Sequence, residues 1–391
     1  MEVDNHVQED VWGLLQKLLP LVQEYIPQSE QLRRQPVETI QAMLDAKMAR
    51  VLMPKQWGGY ELSFDLFVRM TTEVAKVDAS AGLCFSFLLI HPWFLALFPE
   101  QAQRDVWSST PDVALATSLA PQGQASRVAG GYQLKGRWAW SSGVDHCSWN
   151  MLTALVTPSP AGGALERRIF LLPRSDYEIL DTWHVAGLKA SGSNDVIVQD
   201  AFVPEHRTVN LLDLARGMRS RATTSPLYSL PLFSVFPISL TSVLVGSALG
   251  AYETWKGHSH KHLAVLTDPV KLAIMAPLYV RVAEIATTLD TVQLLLQRAL
   301  TTFSDGGPLT DPIRMRNRRD FAYIAHTCQK IVNTVYESCG AWANFDWHHV
   351  QRHWRDCNAL AAHTAFKFDV IGQIFGRAEL GLPQETQETV L

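Results

Sequence analysis

Basic charge is not in excess in this sequence: 34 lysines and arginines stand against 38 aspartates and glutamates, a formal net charge of −4. A protein that grips a nucleic-acid backbone needs a basic face, so that partner class is set aside. Only five of the 391 residues are cysteine. Cys84, Cys147, Cys328, Cys339 and Cys357 fall singly, with no CxxC pair and no Cys/His spacing that would build a zinc site. They read as reduced thiols of a cytoplasmic protein. Glycine-rich phosphate loops are missing too. No GxGxxG follows a strand and no GxxxxGK[ST] occurs, so neither a Rossmann nor a P-loop nucleotide site is expected. The first residues, MEVDNHVQEDVW, are acidic where a secretory signal is basic and then apolar. Long apolar runs are few. Residues 83–98 are shorter than a bilayer span and carry His91-Pro92 in their middle, while 226–250 is interrupted by Pro226, Pro231 and Pro237. Both are expected to be buried core helices, with no membrane partner.

What is present divides the chain in three. Residues 8–27, 37–52 and 64–77 repeat apolar positions at helical spacing, and the run from Ala79 to Phe98 adds a fourth helix, so residues 1–111 form an N-terminal helical domain. From about Val113 the period changes. In YQLKGRWAW, Tyr132, Leu134, Gly136, Trp138 and Trp140 alternate with Gln133, Lys135, Arg137 and Ala139, which places a middle β domain over 112–210. Residues 211–391 return to helical spacing after a long, Ser-, Pro- and aromatic-rich connection at 208–238. Val282, Ile285, Leu289, Val292 and Leu296 step by three and four, as do Phe321, Ile324, Cys328, Ile331 and Val335. With 238–257 and 353–380, four helices are available for a C-terminal bundle, and the last ten residues read as a loose tail. The fold class is therefore α+β, mostly α.

Helices, then a β domain, then a four-helix bundle is the order of the acyl-CoA dehydrogenase fold. Four segments in that order, MPKQWGGYELSF (53–64), GGYQLKGRWAWSSGVDHCSW (130–149), GLKASGSNDVIVQDAFVPEHR (187–207) and QRHWRDCNALAAHTAF (351–366), resemble the oxygenase components of two-component flavin-dependent monooxygenases built on that fold. The similarity runs over nearly the whole chain. It implies an enzyme that takes reduced flavin, FADH2 or FMNH2, from a separate reductase, reacts it with O2 to a C4a-hydroperoxyflavin, and oxygenates an aromatic or polycyclic small molecule. It also implies a dimer or tetramer.

Such chemistry needs a dry site with a few placed hydrogen-bonding groups. On the residues alone, Trp138 and Trp140 are either strand core or a flat wall for the cofactor, and Ser141 and Ser142 either a turn or hydroxyl donors. The resemblance places Ser142 against flavin N5. It likewise sets Ser191 and Ser193, in a Gly/Ser loop, at the flavin border; the nearby basic residues Lys189 and Arg207 are either groups that reach its phosphate or solvated surface residues. His91, a lone histidine in an apolar helix, is either a satisfied core residue or, as the resemblance implies, the group that meets the substrate, with Trp93, Thr117 and Ser118 as neighbours. His363 is expected to point from a helix into the bundle or the adjacent cleft, sharing a face with Ala359, Phe366 and Val370, and the resemblance makes it a donor near flavin C4a. No metal is expected: His348, His349 and His353 lie on differing helix directions without an acidic partner. Two other readings are a thioester dehydrogenase, which commonly carries a carboxylate base at the count from Arg355-Asp356 where this chain has His363-Thr364-Ala365, and a non-catalytic member of the fold.

Overall fold

The computed structural model describes residues 2–157, 165–217, 225–264, 275–304 and 309–383. Residues 218–224 of the connection at 208–238, and all but the first two residues of the expected tail at 382–391, lie outside them.

The chain opens with helices α1 (Glu2–Leu32), α2 (Val37–Asp45), α3 (Phe64–Val77), α4 (Ala79–Leu95) and α5 (Glu100–Trp107). Short polar side chains start two of them: Ser63 accepts the Leu66 N–H to begin α3, and Asp78 accepts the Ala81 N–H to begin α4. Every residue of α4 is buried. A helix that is apolar all round has no solvent face to offer, so it runs through the centre of the molecule.

The strands follow: β1 (Leu115–Val128), β2 (Gly131–Ser141), β3 (Trp149–Val156), β4 (Glu166–Pro173), β5 (Glu178–Leu180), β6 (Asn194–Pro204) and β7 (Thr208–Asn210). They form one seven-stranded sheet in the order β5-β6-β2-β1-β3-β4-β7. All pairs are antiparallel except β1 with β3. Register shifts between Ser118 and Gly123 on β1, and between Trp138 and Ser141 on β2, interrupt the ladders, which resume on the other side of each.

The C-terminal part contains α6 (Leu211–Ala215), α7 (Leu232–Ala264), α8 (Ala276–Ser304), α9 (Asp311–Cys339), α10 (His349–Ala361) and α11 (Phe368–Glu379). The apolar steps on α8 and α9 are buried at Ile285, Leu289, Val292 and Leu296 and at Phe321, Ile324, Cys328, Ile331 and Val335. The expected single helix at 353–380 is two: the chain leaves the helix after Ala361 and re-enters at Phe368. Among the described helices, Leu232–Lys261 is long and apolar enough to cross a membrane, yet its most apolar window is 78% buried inside the protein. It is the bundle's core helix, packed by α3, α4, α9 and α10.

Candidate functional site

The end of β2 gathers hydroxyls. Ser142, just past β2, lies 2.7 Å from the Ser193 hydroxyl, which lies 2.7 Å from that of Ser191. Three hydroxyls joined by two links leave one hydrogen unused. Ser191 and Ser193 are buried and Ser142 is half-buried. A chain running from Ser191 outward therefore presents its spare hydrogen at Ser142, whereas the reverse polarity would strand it in the interior. The loop that carries two of these serines is held on several sides. Gly143 N–H donates to the Ser191 carbonyl at 2.9 Å, the Cys84 thiol to the same oxygen at 3.5 Å, and Gln35 Nε2 to the Ala190 carbonyl at 2.9 Å. Gly192, at φ +54°, makes the turn that a Cβ would strain. Ser141 faces inward and accepts from Asn150 Nδ2 at 3.0 Å, while Asn150 Oδ1 is buried without a partner among the described residues.

Two helical turns along α4 from Cys84, about 10 Å, stands His91. It is fully buried, stacked on Phe87 with ring centroids 4.9 Å apart, and Phe87 stacks in turn on Phe236 of α7. His91 Nδ1 lies 2.5 Å from the Leu115 carbonyl oxygen at the start of β1. A carbonyl only accepts, so Nδ1 carries the proton and Nε2 is a bare acceptor. Nε2 is buried with no hydrogen-bond partner among the described residues. Burial lowers the imidazole pKa to about 4 despite the Leu115 contact, so the ring is neutral at pH 7.

Other expected site residues are placed differently. Trp138 is fully buried core: its indole N–H donates to the Thr153 carbonyl at 2.6 Å, and its ring crosses Gly123 so closely that a Cβ there would lie 1.9 Å from it. Trp140 does not share its face. Its φ of +62° and the register break turn it outward, 62% exposed, so the two tryptophans build no common wall. Thr117 and Ser118 are buried and donate to the carbonyls of Met151 and Ala139 at 2.9 Å each, pinning β1 where its ladder is irregular. Trp93, two residues past His91 and hence on another side of α4, donates its indole N–H to the Leu227 carbonyl and packs edge-on against Phe64. Arg207 follows the far end of β6, a strand whose 11 residues separate it from Ser193 by roughly 35 Å. Its guanidinium bonds Asp105 at 2.6 Å and lies over Trp149. It is therefore not available to a flavin phosphate at the serine cluster. Lys189 opens the short turn Lys189–Ser191.

His363 sits in the break between α10 and α11, and its Nδ1 accepts the Ala365 N–H at 3.1 Å. Because the helix has ended, it does not share a face with Ala359, Phe366 and Val370. It is solvent-exposed, although crowding by the surrounding chain holds its imidazole below the ordinary value. Of the other histidines, His353 is buried against Ser247 and His348 packs edge-on to His258. Asn150, Cys84, Gln35 and Phe87 were invisible as site residues. Cys84, Gln35 and Phe87 act through partners distant in the chain and Asn150 through Ser141 on the preceding strand, and no local motif marks them.

Two places, along α4 and at the end of β2, suit the polar edge of a ligand: Ser142 has a spare hydroxyl hydrogen, and His91 Nε2 is a buried acceptor with no partner among the described residues, beside Phe87 and Phe236.

The comparisons agree in family and in fold. The family model described as acyl-CoA dehydrogenase, C-terminal domain, matches residues 238–368. The chain is 35% identical over 379 residues to the flavin-dependent monooxygenase oxygenase subunit HsaA of Rhodococcus jostii (strain RHA1), covering 94% of this chain and 98% of that protein. It is 32% identical to the FADH2-dependent resorcinol hydroxylase oxygenase component of Rhizobium sp. (strain MTP-10005), covering 92% and 91%. The crystal structure of 3-HSA hydroxylase from Rhodococcus sp. RHA1 superposes with a TM-score of 0.91 at 33% identity, covering 97% of this chain and 98% of that one.

Proposed function

The chain belongs to the flavin-dependent monooxygenase oxygenase subunits, and from that membership we propose that it hydroxylates an aromatic compound whose phenolic O–H or indolic N–H donates to His91 Nε2. It is the oxygenase component of a two-component system, an enzyme that uses reduced flavin, FADH2 or FMNH2, from a separate reductase together with O2. Bound reduced flavin activates the dioxygen and supplies one of its atoms to the substrate.

The observation that carries the substrate reading is the buried, unpartnered His91 Nε2. An acceptor in an apolar wall is costly until a donor reaches it. A neutral imidazole held at a pKa of about 4 is too weak a base to take the proton of a phenol outright, so its work is to orient the ring and polarise its O–H. Phe87 and Phe236 supply the flat apolar cover that excludes water around the reacting carbon. At the other end, Ser142, backed by Ser193 and Ser191, donates to the flavin edge. His363, just past the end of the helix whose Ala359 Cβ lies 3.0 Å from a Cβ built on Gly187, is the second donor proposed at that edge, from the outer side.

The chain also associates with copies of itself in this reading. Trp342, Phe345 and Trp347 form an exposed cluster with ring centroids 5.5–6.4 Å apart, and Trp342 and Trp347 are 64% and 61% exposed. Aromatic surface of that extent is a natural subunit contact. Five unpaired cysteines suit a reducing, cytoplasmic setting. Residues 1–111, 112–210 and 211–391 are taken as the three domains.

The test is turnover of a panel of phenols and their O-methyl ethers with FADH2 or FMNH2 and oxygen. Hydroxylated product is expected from phenols, with the ethers bound several-fold more weakly. Equal use of ether and phenol would remove His91 from substrate recognition.

A further inference from the structure

A carboxyl group on α10 holds the hydroxyl loop from behind. Asp356 is fully buried, and its Oδ1 accepts the Leu188 N–H at 2.6 Å. Leu188 has φ +55°, a left-handed conformation that a leucine keeps only where its surroundings enforce it. The neighbouring contacts tighten the clamp. Gly187 lies so close to α10 that a Cβ would sit 2.2 Å from the Arg355 carbonyl oxygen, and Arg355 Nη1 donates to the Ala186 carbonyl at 2.8 Å. Three residues after Leu188 comes Ser191, the inner end of the hydroxyl chain. The same helix reaches α4 as well: Arg352 pairs at 3.2 Å with Asp78, the residue that caps the helix carrying Cys84 and His91.

We propose that Asp356 is a positioning residue for oxygen transfer: its acceptor oxygen locks Leu188 in the left-handed turn, and that turn aims the hydroxyls of Ser191, Ser193 and Ser142 at the flavin. The inference deepens the monooxygenase reading and rests on it. Asp356 Oδ2 has no hydrogen-bond partner among the described residues. Burial, with the carboxylates of Asp78 and Glu30 nearby, pushes the Asp356 carboxyl up to about 7, against the opposing pull of the Leu188 N–H and Arg355. The uncharged form is thus close at hand, and asparagine is a fair replacement for it: the amide keeps the Oδ1 acceptor and changes only the other atom.

Two variants separate acceptor from bulk, Asp356→Asn and Asp356→Leu. Hydrogen exchange of the 186–193 amides is measured in the protein without flavin, and hydroxylated product per O2 consumed is measured with reduced flavin and a phenol. Asp356→Leu should speed exchange at Leu188 and Ser191 at least about tenfold and divert several-fold more oxygen to hydrogen peroxide, while Asp356→Asn stays within about twofold of the parent on both counts. If the leucine variant does not fold, Asp356→Ser, whose hydroxyl is too short to reach the Leu188 amide, carries the same expectation. Parental exchange and coupling in a folded variant lacking the acceptor would overturn the proposal, and so would an asparagine variant that behaves like leucine. A parent protein that takes up no reduced flavin would instead defeat the monooxygenase reading, while the exchange measurement still decides whether Asp356 sets the loop.

Discussion

Replacing His91 by phenylalanine keeps the ring that stacks on Phe87 and removes both nitrogens. Two polar changes then oppose each other. The Leu115 carbonyl loses its donor, which destabilises by about 1–3 kcal/mol, and a buried acceptor without a partner disappears, which returns a similar amount. Near pH 8 the variant should lie within about 1 kcal/mol of the parent. Acid separates them. The folded-state pKa of about 4 is depressed from 6.5, so the unfolded chain binds this proton first. Stability is therefore full above pH 6.5 and falls as the pH drops towards 4, by about 3 kcal/mol in all and about 2 kcal/mol by pH 5. The variant lacks that loss, and the other histidines are common to both proteins and cancel. Urea midpoints at pH 8 and pH 5 should thus show the parent about 2 kcal/mol more acid-sensitive than His91→Phe. The same variant should raise KM for a phenol about three- to tenfold, the worth of one neutral hydrogen bond, and no longer distinguish it from its methyl ether. If the two proteins lose stability in acid equally, Nε2 is not a bare buried acceptor and the substrate argument falls with it.

Trp138→Phe should cost about 2–4 kcal/mol in denaturant unfolding, through a cavity and an orphaned Thr153 carbonyl. Its reduced-flavin affinity should stay within about twofold, because the ring is strand core. Arg207→Gln should leave reduced-flavin affinity unchanged in an anaerobic titration, since the guanidinium is bound to Asp105, and a tenfold loss would return Arg207 to the cofactor site. Trp342→Ser with Trp347→Ser should shift the sedimentation coefficient towards that of a monomer; an unchanged value would show that the exposed rings are not the contact. His363→Ala should increase hydrogen peroxide released per turnover without changing the KM for the phenol, and unchanged release would place the residue outside the reaction.

The order of helices, strands and bundle was legible because each element repeats its apolar residues at its own period, as in the buried steps of α8 and α9. Trp140 was not. Alternation predicts that it shares a face with Trp138, but the break before Ser141 and a left-handed backbone at a tryptophan reverse its direction. Arg207 misled in another way: 14 residues from Ser193 looks close until an extended strand fills the gap. Helical spacing carried the expected helix through His363, whereas the chain turns after Ala361 with His363 accepting the Ala365 N–H. Ser142, Ser191 and Ser193 come from two segments about 50 residues apart, and their meeting depends on the pairing of β2 with β6. Asp356 lies 168 residues from Leu188, a separation at which only the tertiary fold can supply the partner.

Charge is distributed around this site in a way that the chemistry explains. The side chains proposed to meet the ligands, Ser142 and His91, are neutral at pH 7, and an isolated ion in their place would be expensive in so apolar a setting. The acid–base pairs stand one layer back, behind the hydroxyl loop and at the start of α4, where Arg352 faces Asp78 and Arg355 faces Glu30 at 2.9 Å. Pairing makes those groups tolerable, and the attachment of Asp78 to the Ala81 N–H and of Arg355 to the Ala186 carbonyl turns them into braces. A charge moved forward by one layer would draw water to the reacting ring, whereas a charge removed from the back layer would loosen the hydroxyls without wetting the site. Variants of the two layers should therefore fail differently: His91 in the front layer through substrate selection, the back layer, which acts through the hydroxyl loop, through oxygen lost as hydrogen peroxide.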